Sequence, residues 1–520
     1  MAAELETSVP LIARSSSDPL PTSTEPLTST MILLCAGAGI PFFLFGYDTG
    51  VVSTAMTWAR RDLGLGTIED ELVVSVTVAS AAVFALIAGP LNQGFGRHLV
   101  IQASGLLFIA GSSMIALSSG FGLLVVGRLV LGAAIGLGST TVPLYVAESA
   151  PAERRGVLVA TQIALVVLGQ ASGALLNAAL ERADGLGPWR LTMGLAAAPP
   201  LAQLAIFASC LPESPRVLLA SGDRAGARAA LLRLRPSAAA AVAPDGGAAL
   251  VDAELDEMAR GVAADERAAA EAIEARERLR ARGSTRDAVL AAVPGCWMFA
   301  EPALARALAL GVGLQTYQQL SGINTVMYYS TTIFEMAGFS SKASAWLTVL
   351  CAATQLLGVA LTVALALPDT RGRRATLLAS SQGAALALLV LAAGFWVELH
   401  TSGSAGNILT VLGVEGYLLA FGLGLAPIPW CVNAEIYPLR ARAPAQALAT
   451  FANWAANFFV SVTFLSLCAW LGGPIAFLVF FGVTVAGMVL VYAYMPETKG
   501  RSLEQISQLF EEPYTHDRKS

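Results

Sequence analysis

The chain has 520 residues, of which 55% are hydrophobic and 13% charged, and its mean hydropathy is +0.64. A soluble domain carries roughly twice that charged fraction to cover its surface, so the composition excludes a soluble globular protein. The net charge of −5 provides no basic footprint for nucleic acid, and the six cysteines (Cys35, Cys210, Cys296, Cys351, Cys431, Cys468) show neither zinc-ligand spacing nor a paired framework, so neither a nucleic-acid partner nor a bound metal is expected.

Residues 1–30 are polar and rich in Ser, Thr and Pro, which predicts a disordered cytosolic N-terminus without a cleavable signal peptide. Within them Glu6-Thr7-Ser8-Val9-Pro10-Leu11-Ile12 has the form of an acidic dileucine sorting signal, leaving plasma membrane and vacuolar or endosomal membrane both open. Apolar runs long enough to cross a bilayer, about 20 residues each, then follow at 31–56, 71–91, 98–118, 121–145, 156–181 and 189–211, a first six-helix bundle over 31–216. Residues 217–302 interrupt the pattern. A low-complexity Ala/Pro/Gly piece (236–249) precedes a charged run from Asp252 to Arg282, with Glu257 and Arg260, and Glu274 and Arg278, at helical spacing. This reads as a cytosolic linker with short helices. A second six-helix bundle (303–496) has spans at 303–330, 342–367, 374–397, 407–437, 444–467 and 471–494, and 497–520 form a cytosolic tail. The fold expected is an all-α membrane protein of twelve transmembrane helices. Arg97, Arg154, Arg155, Arg371, Arg373, Arg374, Arg440 and Arg442 fall in loops on the side of the termini, against Arg60, Arg61, Arg182 and Lys342 on the other, so both termini are placed in the cytoplasm.

The two bundles repeat each other. Gly96-Arg97 recurs as Gly372-Arg373, Glu148 and Arg155 recur at the same spacing as Glu435 and Arg442, and Pro212-Glu213-Ser214-Pro215-Arg216 recurs as Pro496-Glu497-Thr498-Lys499-Gly500. Two pseudo-repeats of six helices imply a transporter with its solute site between them near the midplane.

These motifs, with Arg371-Gly372-Arg373-Arg374 and Ala152-Glu153-Arg154-Arg155-Gly156, resemble the signatures of sugar porters in the major facilitator superfamily over about residues 40–510. Within that family, Phe45-Gly46-Tyr47-Asp48-Thr49-Gly50, the run Gln318-Gln319-Leu320-Ser321-Gly322-Ile323-Asn324 and Ala434-Glu435-Ile436-Tyr437-Pro438 are similar to the proton/myo-inositol cotransporter branch. The resemblance implies transport of a small polyol or sugar by alternating access. It also implies a cytoplasmic gate in which Glu148, Glu213, Glu435 and Glu497 pair with loop arginines (Arg97, Arg155, Arg373, Arg442), unless those arginines only anchor the topology. Asn92-Gln93-Gly94 and His98 depart from the family's first-half loop and are expected to weaken the gate there.

A polyol is a ring of hydroxyls, each both donor and acceptor, and amide side chains match it. Gln315, Gln318 and Gln319 lie at i, i+3 and i+4 on one face of the seventh span, and unwinding at Gly322 lets Asn324 join them. In Pro427-Ile428-Pro429-Trp430 the prolines break the tenth span, and the indole can stack on a sugar ring. Resemblance adds Gln170, Asn453, Trp454 and Asn457 to the pocket and Tyr328 and Tyr329 as its outer closure; Gln162 stands one place out of register, and Leu357 replaces a pocket asparagine with Gln355 nearby. Asp48 and Arg128 lie within the first and fourth spans at matched depth, ~10–15 Å from the far ends. An acid there is costly unless functional, and the pair resembles the proton site of symporters. The coupling ion expected is thus a proton, with no other cofactor, in a protein working as a monomer. A passive hexose uniporter and a non-transporting sugar sensor are the alternatives; no nucleophile–base set or nucleotide loop suggests an enzyme.

Overall fold

The computed structural model describes residues 29–149, 155–181, 187–235, 246–282, 284, 287, 296–365, 367–401, 404–501 and 503–511, and its regular structure is helical throughout. The first half comprises α1 (Ser29–Leu63), α2 (Thr67–Ala116), α3 (Phe121–Ser149), α4 (Arg155–Leu180), α5 (Trp189–Gly194) and α6 (Pro199–Ser209). The linker holds α7 (Pro215–Ala220), α8 (Arg224–Leu234) and α9 (Gly246–Ala281). The second half comprises α10 (Pro302–Leu320), α11 (Ile323–Met336), α12 (Ser341–Ala364), α13 (Leu367–Arg371), α14 (Arg373–His400), α15 (Ala405–Ala420), α16 (Ile428–Glu435), α17 (Leu439–Leu471) and α18 (Gly473–Tyr494), with α19 (Leu503–Gln508) after it. The face of the molecule carrying α7–α9 is called here the linker side, and the opposite face the far side.

Ten helical stretches among the described residues are long and apolar enough to cross a membrane. Two further crossings are hidden in broken elements. The 50-residue α2 contains Gly96 at φ 79° and ψ 168°, and its two arms both lie along α3, with Ile115 against Gly127 and Thr77 against Gly132. It is therefore a hairpin of two spans. α10 and α11 form the other crossing, interrupted at Gly322, whose φ is 99°. The architecture is twelve crossings in two halves of six, as the chain predicts.

Besides the break at Gly322, two further spans are interrupted where sequence chemistry demands it. Pro199 and Pro200 open α6 after a 3₁₀ turn at Leu195–Ala197. In the tenth span the irregularity starts earlier than the prolines, with a π-helical turn over Phe421–Leu425. Pro429 has no N–H to donate to the carbonyl four residues back, so the Leu425 carbonyl is freed and accepts instead from Gln318 Nε2 at 2.7 Å.

Packing between crossings uses small residues. Gly46 and Gly50 of α1 face Gly169 and Gly173 of α4; a Cβ at Gly46 would stand 1.8 Å from the Val166 carbonyl oxygen, and one at Gly50 2.1 Å from that of Gln170. Without a hydrophobic drive inside lipid, such close backbone approach supplies the attraction. The apolar outer surface is fringed by Trp346, Trp396 and Trp470 near the far side and by Tyr492 and Tyr494 near the linker side, the placement of an interfacial aromatic belt.

The linker holds the expected short helices, α7 and α8, and beside them the charged run forms one longer helix, α9, of 36 residues. Its N-terminal part is tied to α7 and α8 by Arg216–Asp265 (2.7 Å), Arg224–Asp256, Arg228–Asp252 (2.7 Å) and Arg235–Glu254 (2.8 Å). The Arg228 guanidinium hydrogen-bonded to Asp252 holds that exposed carboxyl below the usual aspartate range. Further along, Glu274 and Arg278 pair at 3.1 Å, and Leu279 is buried in the main core with Trp297 and Met298. The alternation of acidic and basic residues favours one long solvated helix. Residues 236–245, most of the low-complexity piece, lie outside the described residues.

Candidate functional site

Two clusters at the linker side are built to one plan, residue for residue. In the first half Arg97 Nη2 donates to Glu148 (3.0 Å), Arg97 Nη1 to the Asn92 carbonyl (3.0 Å), and Ser214 Oγ to the other Glu148 oxygen (2.6 Å). In the second, Arg373 Nη2 donates to Glu435 (3.2 Å), Arg373 Nη1 to the Pro368 carbonyl (3.1 Å), and Thr498 Oγ1 to Glu435 (2.7 Å). Glu213 and Glu497 play a part other than the pairing with arginine side chains expected of them. Each carboxylate accepts backbone N–H groups instead: Arg97, His98 and Ser214 for Glu213, and Arg373, Arg374, Thr498 and Lys499 for Glu497. Gly96 and Gly372 make this possible. Both have positive φ, and a Cβ would lie 2.2 Å and 2.4 Å from the respective carboxylate oxygens. Arg442 donates to the Tyr437 carbonyl (3.3 Å) rather than to an acid, and the Arg155 side chain lies outside the described residues. His98, one of the departures from the family's loop, keeps a bond of its own. Its Nε2 donates to the Phe207 carbonyl at 3.0 Å, the role that Arg374 fills with Tyr492 at 2.8 Å. Each cluster joins helices of one half only, so it stiffens that half as a unit.

Contacts between the halves gather toward the far side. Ser53 Oγ lies 3.0 Å from Ser330 Oγ and donates to Thr331 Oγ1 (3.2 Å), Thr54 meets Thr331 at 2.8 Å, and Thr331 continues to Thr348 at 3.0 Å. Sequence reading missed this hydroxyl seam. It also missed Glu71, whose carboxylate accepts both the Ser466 N–H (2.8 Å) and the Ser466 hydroxyl (2.6 Å) across the halves. Arg61 and Glu335 add an ion pair at 3.3 Å. The far side is thus shut by hydrogen bonds, and the signal for Glu71 was available as a carboxylate pair, Asp70-Glu71, opening the second span.

Between the seam and the clusters lies a connected set of amides. Asn453 Nδ2 donates to Gln315 Oε1 (2.7 Å) and Gln318 Oε1 (3.0 Å), Gln319 Nε2 donates to Asn453 Oδ1 (3.0 Å), and Asn324 Nδ2 donates to Gln319 Oε1 (2.6 Å). Gln318 Nε2 is committed to the carbonyls of the broken tenth span, so its amide holds backbone as well as facing Asn453. Asn457 Nδ2 reaches the Tyr328 hydroxyl at 3.4 Å, while Tyr329 donates to the Ser461 carbonyl at 2.9 Å. Trp454 is buried edge-on against Phe45 of the other half, with ring centroids 5.5 Å apart, whereas Trp430, just past the break, is 42% exposed. Gln162 Nε2, Gln170 Oε1, Gln315 Nε2 and Gln355 Oε1 are buried without a protein partner among the described residues, an unused hydrogen-bonding capacity suited to a polyhydroxylated guest. Leu357 points outward, 53% exposed.

Asp48 and Arg128 meet in the first half. Arg128, 1% exposed, donates Nη1 to Asp48 and Nε to the Val73 carbonyl (3.1 Å). The Thr49 and Asn457 side chains flank the Tyr328 hydroxyl, so the ion pair and the amide set are separated by one residue of α1.

The sequence model described as "Sugar (and other) transporter" matches residues 34–510. The proton myo-inositol cotransporter of Homo sapiens is 33% identical, over 90% of this chain and 80% of that protein. Inositol transporter 4 of Arabidopsis thaliana is 30% identical, over 93% and 92%. Among solved structures, the xylose transporter XylE from E. coli in an inward-open conformation superposes with a TM-score of 0.71 at 22% identity, over 92% of this chain and 99% of that one.

Proposed function

This chain belongs to the sugar transporter family of the major facilitator superfamily, and from that premise we propose that it moves myo-inositol or a hexose together with a proton by alternating access. It is a membrane transporter and not an enzyme. The observation that carries the coupled reading is the buried Asp48–Arg128 pair beside the amide set. A carboxylate so deep is stable when its charge is matched by Arg128 or when it takes up a proton, and only the second choice releases the arginine. Protonation on one side and release on the other then drives the halves past the solute.

In this reading Gln170, Gln319, Asn324, Asn453, Asn457 and Trp430 contact the solute, Gln318 holds the broken helix, and Tyr328 and Tyr329 close the pocket. Gln162, Gln315 and Gln355 supply further free polar atoms. Arginine distribution supports cytoplasmic termini, which makes the linker side cytosolic and the hydrogen-bonded far side the shut outer gate. The two linker-side clusters (Arg97, Glu148, Glu213; Arg373, Glu435, Glu497) act as the rigid cytosolic ends that swing. The protein serves as a monomer, in the plasma membrane or an endosomal or vacuolar one. The test is uptake of labelled myo-inositol and glucose into proteoliposomes with and without an inward proton gradient. Gradient-driven accumulation is expected. Equilibration alone identifies a passive uniporter, and saturable binding without uptake identifies a sensor.

A further inference from the structure

Glu415 is a carboxylate inside the tenth span that the foregoing mechanism leaves unused. It sits mid-way along α15, accepts from the Cys351 thiol (Sγ to Oε1, 3.4 Å), and lies beside the Thr354 hydroxyl, while its Oε2 is buried with no hydrogen-bond partner. The titratable group facing it is Cys351 of α12; α14, which packs against α15 at Leu391 and Ala387, presents apolar atoms there. It has no arginine or lysine partner among the described residues, in contrast to Asp48, which has Arg128. A carboxylate in hydrocarbon without a cation is held as the protonated acid or is reached by water during the cycle.

Its surroundings favour the second. Thr348, Cys351 and Gln355 stand at i, i+3 and i+7 on one face of α12. Thr348 is the end of the Ser53–Thr331 hydroxyl seam at the far side, and Gln355, with its buried and unpartnered Oε1, continues the stripe inward. Glu415 therefore lies beside a stripe of α12 that runs from the far-side hydroxyl seam at Thr348 through Cys351 to the buried Oε1 of Gln355, which has no partner among the described residues. Its helix is also mechanical. Two residues on, the Tyr417 hydroxyl donates to the Ser321 carbonyl at 3.0 Å, next to the break at Gly322, and α15 runs into the π-helical turn at Phe421.

We propose that Glu415 is a second proton-binding site of the transport cycle, taking a proton from water admitted as the seam parts and releasing it to water that reaches Gln355 from the linker side. One proton is bound and one released at Oε2 per cycle, with no other bond made or broken. The inference rests on the proton-coupled reading above.

The experiment reconstitutes the full chain and fixes the proton-to-solute ratio from the membrane potential at which labelled myo-inositol flux reverses, for wild type, Glu415→Gln and Cys351→Ala. Two protons per solute are expected for wild type and one for Glu415→Gln, so that under a pH gradient of one unit without a potential the limiting accumulation falls about tenfold. Cys351→Ala, which leaves the carboxylate in place, is expected to keep the ratio of two. A wild-type ratio of one, or an unchanged ratio in Glu415→Gln, overturns the Glu415 site and leaves coupling at Asp48 intact. If the variant does not fold, the wild-type ratio alone decides. A wild type that shows no proton-driven accumulation overturns the coupling reading, and the second site with it.

Discussion

Asp48 and Arg128 illustrate how much a single side chain can be asked to decide. Arg128 also donates Nε to the Val73 carbonyl, a bond that does not involve Asp48, so neutralising the acid is expected to loosen the pair without leaving the guanidinium wholly unsatisfied. Asp48→Asn mimics the protonated acid. It is expected to lose pH-driven accumulation while still exchanging labelled solute down its gradient; a variant that still concentrates solute with the pH gradient removes Asp48 from the coupling step. A structural ion pair predicts instead poor folding or loss of both activities, because a buried charge without its counter-ion costs about 3–5 kcal/mol. Gln319 links Asn324 to Asn453, the residue at which the amide set converges. Truncating Gln319 to Ala is expected to weaken solute binding by about 1–3 kcal/mol, roughly five- to 150-fold in Kd, with Trp430→Ala similar through lost stacking. Equilibrium binding on folded protein measures both, and affinities equal to wild type in both variants place the pocket elsewhere.

At the scale of the element, the breaks matter more than the helices. Gly322, Gly96 and Gly372 were visible in the sequence as glycines beside polar motifs, but their reasons differ. Gly322 stops α10 so that α11 starts afresh, whereas Gly96 and Gly372 leave room for a carboxylate that caps several backbone N–H groups. Gly372→Ala meets two penalties together, φ of 95° and a Cβ 2.4 Å from Glu497 Oε2. It is expected to destabilise the second half by about 1–3 kcal/mol, read as a lower unfolding temperature in detergent. An Ala variant as stable as wild type would mean that the Glu497 cap contributes little. The linker shows the opposite case, where acidic and basic residues at helical spacing marked helix but not its length, and the ion pairs to α7 and α8 support one continuous α9 beside those two short helices.

For the whole molecule, the question is which face is open. Each linker-side cluster is internal to one half, and the bonds that cross between halves among the described residues include the Ser53–Thr331 seam, the Glu71 clasp on Ser466 and those of Arg61 to Glu335 and Ser341. Ser53→Cys with Ser330→Cys replaces two hydroxyl oxygens 3.0 Å apart by two thiols. Oxidation is expected to stop transport by locking the far side shut, with reductant restoring it and with solute binding from the linker side retained. Transport that continues through the cross-linked protein contradicts a seam that must part in every cycle.

Class, span number, the duplication and the glutamines and asparagines that the structure joins in one amide set were all legible in the chain. Each depends on local composition or on short motifs whose spacing survives without a partner: runs of apolar residues matched to bilayer thickness, glutamines three and four apart, Gly-Arg and Glu motifs that recur. Which residues meet was not legible in this way. That Glu213 caps amides instead of pairing with arginine side chains, that Gln318 ties down the carbonyl freed by Pro429, that Glu71 reaches Ser466, and that Glu415 has a thiol and, among the described residues, no cation for company all depend on distances between helices far apart in sequence. Those distances are set by glycine-mediated approach and by the angle between the halves, and only the assembled bundle defines them.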